Sequence, residues 1–189
     1  PDEVLRALVN DLGMKTLRLS VYWDDVEATK GKYDFSQIDR ELAIAREGKA
    51  TVLLAMGRKL PRWPECHDPS WFGGATAEER RERQLAYVRA VIERYKSDSL
   101  ITMWQVENEP FLPYGACPDY DITILDEELA IVRSLDASRQ VMVTDSGELS
   151  LWVRAAKRGD VFGTTMYRKV SNRYFGLITY PIPPSFFRV

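Results

Sequence analysis

The residues best placed to do chemistry stand at the end of one apolar run, Met103-Trp104-Gln105-Val106-Glu107-Asn108-Glu109-Pro110, where a stretch suited to burial stops in two carboxylates flanking an amide. A carboxyl group at the rim of an apolar interior loses hydration in its charged form. Its pKa therefore rises, and it can stay protonated near neutral pH and give a proton to a leaving group. The competing reading is structural, with Asn108 and Glu109 tying down the turn after a strand and Pro110 stopping it. Glu107 is an extra carboxylate whose direction, pocket or core, depends on side-chain alternation. Other catalytic kits fit less well. His67 is the only histidine, no G-x-S-x-G turn accompanies it, and no G-x-G-x-x-G or Walker-type loop follows an apolar run. Cys66 and Cys117 lack the paired spacing of a structural zinc site, and His67 has too few companions to hold a metal, so no cofactor is implied.

The elements that must position these residues alternate in period. Short β-rich runs at 16–22 (TLRLSVY), 51–56 (TVLLAM), 101–106 (ITMWQV), 140–144 (QVMVT) and 161–166 (VFGTTM) are apolar on both faces or nearly so, as in buried parallel strands. Between them lie segments of helical period. One carries the stripe Val4, Leu5, Leu8, Val9 and Leu12 up to Gly13, and another begins near Ser36 and ends at Gly48. Further helices are expected over 77–96, 124–135 and 149–158, the first with a charged outer face over Leu85, Val88, Val91, Ile92 and Tyr95. This alternation predicts βα units around a parallel sheet, with chemistry in the loops that leave the C-terminal ends of the strands. The longest and most aromatic of those loops follow the second and third runs. Cys66 and Cys117 fall in these two loops, on the same face, so a disulfide is geometrically possible, although free thiols are the expectation.

Composition agrees with one globular domain: 189 residues, 45% hydrophobic, 29% charged, with a net charge of −2. Such a balance has no basic field for nucleic acid or an anionic membrane, and no apolar run approaches the roughly 18 residues of a membrane span. The chain starts at Pro1 without a leader-like segment, so it is expected to begin inside a longer protein, and neither compartment nor oligomeric state is indicated.

Three segments taken together carry a family resemblance: Leu17-Arg18-Leu19-Ser20-Val21-Tyr22-Trp23, then Gly31-Lys32-Tyr33-Asp34-Phe35 with Asp39 beyond, then W-Q-V-E-N-E-P. Over essentially its whole length the chain resembles the retaining (β/α)8 glycoside hydrolases, the clan that includes the cellulase family, family 5, and families 39 and 42. Family 5 members often carry His-x-Tyr where this chain has Thr165-Met166-Tyr167, so the resemblance is to the clan. It implies an α/β fold, a partial TIM (β/α)8 barrel comprising strands two to six. Residues 1–189 would then form one incomplete catalytic domain, without the first strand and the last two.

By the same resemblance Glu109 is the general acid/base, and Asn108 binds the sugar 2-hydroxyl. Arg18 lies under the nucleophile, and Tyr167 hydrogen-bonds it. The alternatives are an ion pair of Arg18 with Glu107 inside the barrel and a core aromatic at Tyr167. The nucleophile would come from the seventh strand, outside this segment. Glu148 is the one in-chain candidate, and it is expected instead to serve a substrate loop or a helix N-terminus. Sugar rings stack on aromatics, which makes Trp23, Trp63, Trp71 and Tyr114 candidate platforms, with Arg58, Arg62 and Arg168 as cations for an acidic sugar. The expected partner is a β-linked carbohydrate cleaved with retention. A non-catalytic carbohydrate-binding relative is the competing reading.

Overall fold

The computed structural model of the chain describes residues 2–117, 120–147, 150–165, 167, 169–172, 176–179 and 183. The first helix, α1 (Asp2–Arg6), continues as a π-turn over Ala7–Asp11. Then β1 (Thr16–Ser20), a single helical turn α2 (Trp23–Val26) and α3 (Ser36–Glu47) lead to β2 (Thr51–Met56). The long α4 (Ala77–Tyr95) precedes β3 (Ile101–Val106), and α5 (Ile124–Leu135) precedes β4 (Gln140–Asp145). A short α6 (Val153–Ala156) leads to β5 (Val161–Thr164).

The five strands form one sheet in the order β1-β2-β3-β4-β5, every neighbouring pair parallel. Chain neighbours are thus sheet neighbours, the order in which a (β/α)8 barrel is wound. Register sorts the side chains into two faces. Leu19, Leu54, Trp104 and Val141 form one row, all buried beneath the helices. Ser20, Ala55, Gln105 and Met142 form the row on the opposite, more open face, which Arg18 and Thr144 share by alternation. The core under the helices holds Trp23, Tyr87 and Trp104 with Val91, Ile92, Leu125 and Leu129. Trp104 donates from its ring to Asp136 Oδ2 at 2.9 Å, so this core side chain is also anchored at the end of α5.

Several boundaries differ from the sequence expectation. The run at 16–22 leaves the sheet at Ser20 because Tyr22 leads into α2. The last strand ends at Thr164, with Met166 outside the described residues. The helix expected over 149–158 is only α6, because Trp152 has left-handed backbone (φ 63°) and donates from its ring to Ser146 O at 2.8 Å. A hairpin of β6 (Lys169–Asn172) against β7 (Gly176–Thr179), which the periodicity did not suggest, follows β5. The free thiols are a correction as well: Cys66 and Cys117 form a disulfide with Cα atoms 5.1 Å apart. The two loops lie closer together than sequence spacing could establish. Among the described residues no helix is long and apolar enough to cross a membrane.

Candidate active site

Where β3 ends, the backbone leaves extended geometry abruptly: Glu107 and Glu109 both take left-handed φ, 59° and 46°. Each such residue costs about 1 kcal/mol or more and persists only where surrounding bonds over-determine it. Here the bonds come from neighbouring strands. Gln105 accepts from Arg18 Nε at 2.8 Å and donates to Glu107 O at 2.7 Å. Arg18 also donates to Asn108 Oδ1 at 2.9 Å. The Glu109 amide donates to Thr144 Oγ1 at 2.9 Å, and Lys59 Nζ donates to Glu109 O at 3.0 Å. Side chains from β1, β3 and β4 and from the loop after β2 therefore fix the Asn108-Glu109 pair at the mouth of the sheet.

The charges follow from this packing. Burial pulls the Arg18 pKa below the usual guanidinium value, and the Glu109 carboxylate is the strongest charge opposing that shift, ahead of Tyr22 and Tyr167. Arg18, Glu109 and Tyr167 are thereby electrostatic neighbours, although Tyr167 is 62% exposed and not the core aromatic of the competing reading. Arg18 bonds Gln105 and Asn108 and not Glu107, the partner which that reading assigned to it. Glu65 was not anticipated. Burial raises its pKa, with the Lys59 charge opposing.

Glu107 goes to the core. It is fully buried and accepts from the backbone amides of Arg58 at 2.9 Å and Lys59 at 2.6 Å, and from Gln84 Nε2 at 3.1 Å. Gln84 also donates to Glu128 Oε1 at 2.7 Å. Burial pushes the Glu107 pKa up to about 7, and Glu128 rises well above its ordinary value through burial and the Glu107 charge. Both buried carboxyls are thereby shifted toward their protonated forms. Gly57 makes room for this arrangement: its φ is +132°, and a Cβ there would stand 2.6 Å from Glu107 Cδ.

The remaining candidates divide by exposure. Trp23 is fully buried and donates to Glu27 Oε2 at 2.7 Å, so it is a core residue and cannot be a sugar platform. Trp71 packs edge-on against Trp23 and Phe72 and donates to Glu27 O at 2.7 Å, which commits it to the same cluster. Arg58 is also corrected: it is 3% exposed and grips Asp68 through Nε (2.6 Å) and Nη2 (2.7 Å), a bidentate pair that holds its own loop. Trp63 and Tyr114 are 71% and 58% exposed. They stand on the two loops joined by the disulfide, and Tyr114 walls a cavity of about 390 Å³ together with Lys59, Phe111, Tyr120 and Arg154. Glu148 and Arg168 lie outside the described residues.

Sequence reasoning assigned no individual role to Gln105, Thr144, Lys59 or Glu65. A polar Gln105 inside an apolar strand was a usable signal, as was Thr144 at the last position of the 140–144 run. For Lys59 and Glu65, only the loop conformation brings them to the pair.

Three comparisons with known proteins bear on this geometry. The model of glycosyl hydrolase family 10 matches residues 4–123. The probable mannan endo-1,4-beta-mannosidase A of Aspergillus niger is 29% identical over 76 residues, 38% of this chain and 18% of that protein. Beta-galactosidase BbgII of Bifidobacterium bifidum is 27% identical over 132 residues, 60% of this chain and 19% of that one. Among solved structures, GH5_18 from Streptomyces cattleya in complex with Manb1-4GlcNAc superposes with a TM-score of 0.67 at 14% identity, covering 88% of this chain and 47% of that one. The chain thus spans less than a fifth of the length of these two curated relatives. The clan-level resemblance and the partial (β/α)8 barrel are borne out, with family 10 as the matching model.

Proposed function

We propose, from the premise that this chain belongs to glycosyl hydrolase family 10, that it carries the acid/base half of a retaining β-glycosidase site, with Glu109 as the proton donor and acceptor. The observation that carries this reading is the fixing of Glu109. Its amide and carbonyl are held by Thr144 and Lys59, while Arg18 and Asn108 stand beside it on the open face. A positioned carboxyl of this kind gives its proton to the glycosidic oxygen as a nucleophile attacks the anomeric carbon. The resulting carboxylate then takes a proton from the water that cleaves the glycosyl-enzyme. Asn108 accepts from Arg18 through its oxygen, which turns its amide nitrogen toward acceptors such as a sugar 2-hydroxyl, a contact that strengthens as the oxocarbenium-like transition state forms.

The nucleophile is a second carboxylate, roughly 5–5.5 Å from Glu109, supplied from outside residues 1–189. This agrees with a chain that spans under a third of its curated relatives. On this reading the five strands are the second to sixth of the barrel, and the chain is a single incomplete catalytic domain. Arg18 and Tyr167 face the nucleophile, and Trp63 and Tyr114 provide sugar-stacking surfaces at the rim. The names of the curated relatives point to β-mannosides and β-galactosides as the first substrates to try.

Glu109→Gln in the full-length protein tests the assignment. Turnover of glycosides with poor leaving groups is expected to fall by about 10²–10⁴-fold, while aryl glycosides that need little protonation lose far less. Equal activity of variant and parent on both classes would overturn the role of Glu109. Sugar binding without turnover by the parent would instead identify the carbohydrate-binding relative.

A further inference from the structure

We infer that Lys59 is a positioning residue for Glu109, its buried ammonium holding the turn that presents the acid/base and setting the charge against which that carboxyl titrates. The inference rests on the acid/base reading of Glu109. Lys59 is 2% exposed, and an ammonium without water is costly unless partners replace it. Its partners are main-chain oxygens of the catalytic turn: Nζ donates to Glu109 O and Leu112 O. A space-filling residue would need neither bond. These carbonyls belong to a segment whose first residue has φ 46°, so the ammonium stabilises a conformation that the backbone alone disfavours.

Lys59 is itself held in place. Its amide donates to Glu107 Oε2 at 2.6 Å, and its carbonyl accepts from Asn108 N at 2.7 Å. The loop beyond it closes through Leu60 N to Glu65 O at 2.8 Å and joins the Glu109–Cys117 loop by Ala116 N to Pro64 O at 2.9 Å and by the disulfide. Each segment therefore grips the backbone of the other, with the ammonium where they cross. Burial lowers the Lys59 pKa, and the carboxylates of Glu65, Glu109, Glu107 and Asp145 face it and oppose that shift. By reciprocity the Lys59 charge favours ionised Glu109, so loss of that charge raises the pH at which the acid/base gives up its proton.

The experiment uses the full-length protein with Lys59→Met and Lys59→Arg, and Glu109→Gln in parallel. For Lys59→Met, kcat/KM on an unactivated alkyl glycoside is expected to fall by about 30-fold or more. On an activated aryl glycoside it should change by less than about threefold, and the basic limb of the pH profile should move upward. Lys59→Arg keeps the charge, so its basic limb should stay within about 0.3 pH units of the parent even where its rate falls. Equal losses on both substrates, or a limb that does not move in Lys59→Met, would reduce Lys59 to a structural role. If Lys59→Met does not fold, the Arg variant decides: a limb displaced despite the retained charge overturns the inference. Should Glu109→Gln itself fail to discriminate the substrates, the acid/base reading falls first. If it discriminates and the Lys59 variants do not, only the present inference fails.

Discussion

Glu107 and Glu109 stand two residues apart at the end of β3, yet one is enclosed by the helix layer and the other opens onto the mouth of the sheet. Glu107 is fully buried among Gln84, Glu128 and two backbone amides, and burial raises its pKa to about 7 against the opposing bonds from those amides. Glu109 keeps partial exposure, and its backbone is pinned by Thr144 and Lys59. The difference teaches that a raised pKa alone does not mark the catalytic group. Glu107 is tied up in every direction and has no route to a substrate, whereas the side chain next to Arg18 and Asn108 is the one left on the open face.

This contrast can be broken most sharply at Glu107. Its replacement by Ala leaves the amides of Arg58 and Lys59 and the Gln84 side chain without their acceptor in a dry interior. It should lower the unfolding free energy by about 3 kcal/mol or more, read from urea midpoints at pH 7. Glu109→Gln should change that free energy by less than about 1 kcal/mol. Comparable losses at the two sites would erase the distinction.

A smaller effect sharpens the account of the two buried carboxyls. The folded pKa of Glu107 lies at about 7 against an ordinary 4.5, so the fold binds the proton more tightly than the unfolded chain does. The associated stability is fully present below about pH 4.5 and is lost as pH rises through about 7. Glu128→Gln keeps an acceptor for Gln84 and removes a second group whose pKa the fold raises, so the decline in urea midpoint between pH 5 and 8 should flatten. An unchanged slope would mean that the two carboxyls do not titrate together. The smallest change in stability is expected at the rim. Trp63→Ala should leave the melting temperature within about 1 °C, since surface substitutions rarely exceed ±0.5 kcal/mol, yet raise KM for a carbohydrate substrate by severalfold. An unaltered KM would remove Trp63 from the binding surface.

Much of this arrangement was legible in the sequence. The runs at 51–56 and 101–106 match their strands, and α4 and α5 match their amphipathic segments, because burial on both faces and a helical stripe leave strong periodic signals. The Asn108-Glu109 pair was legible because charge directly after an apolar strand is costly and therefore informative. Glu107 was not. Alternation would have put it on the open face with Gln105, but the left-handed turn at Glu107 carries its carboxyl to the helix side, and no periodicity encodes that turn. Trp23 and Trp71 misled for a related reason. Each follows a strand end, yet Glu27, buried and bonded to the Trp23 ring and to the Gly31 amide at 2.7 Å, draws the segment inward.

The disulfide has a consequence for the integrity of the molecule. Cys66 and Cys117 are 51 positions apart, and the stretch between them contains α4, β3 and the Glu109 turn. Exposed loops are where proteases cut first. A single cut between Cys66 and Cys117 leaves both pieces covalently joined, with the Asn-Glu pair retained beside its strands, and they part only when a reductant is added. Gels run with and without reductant would tell a nicked molecule from an intact one.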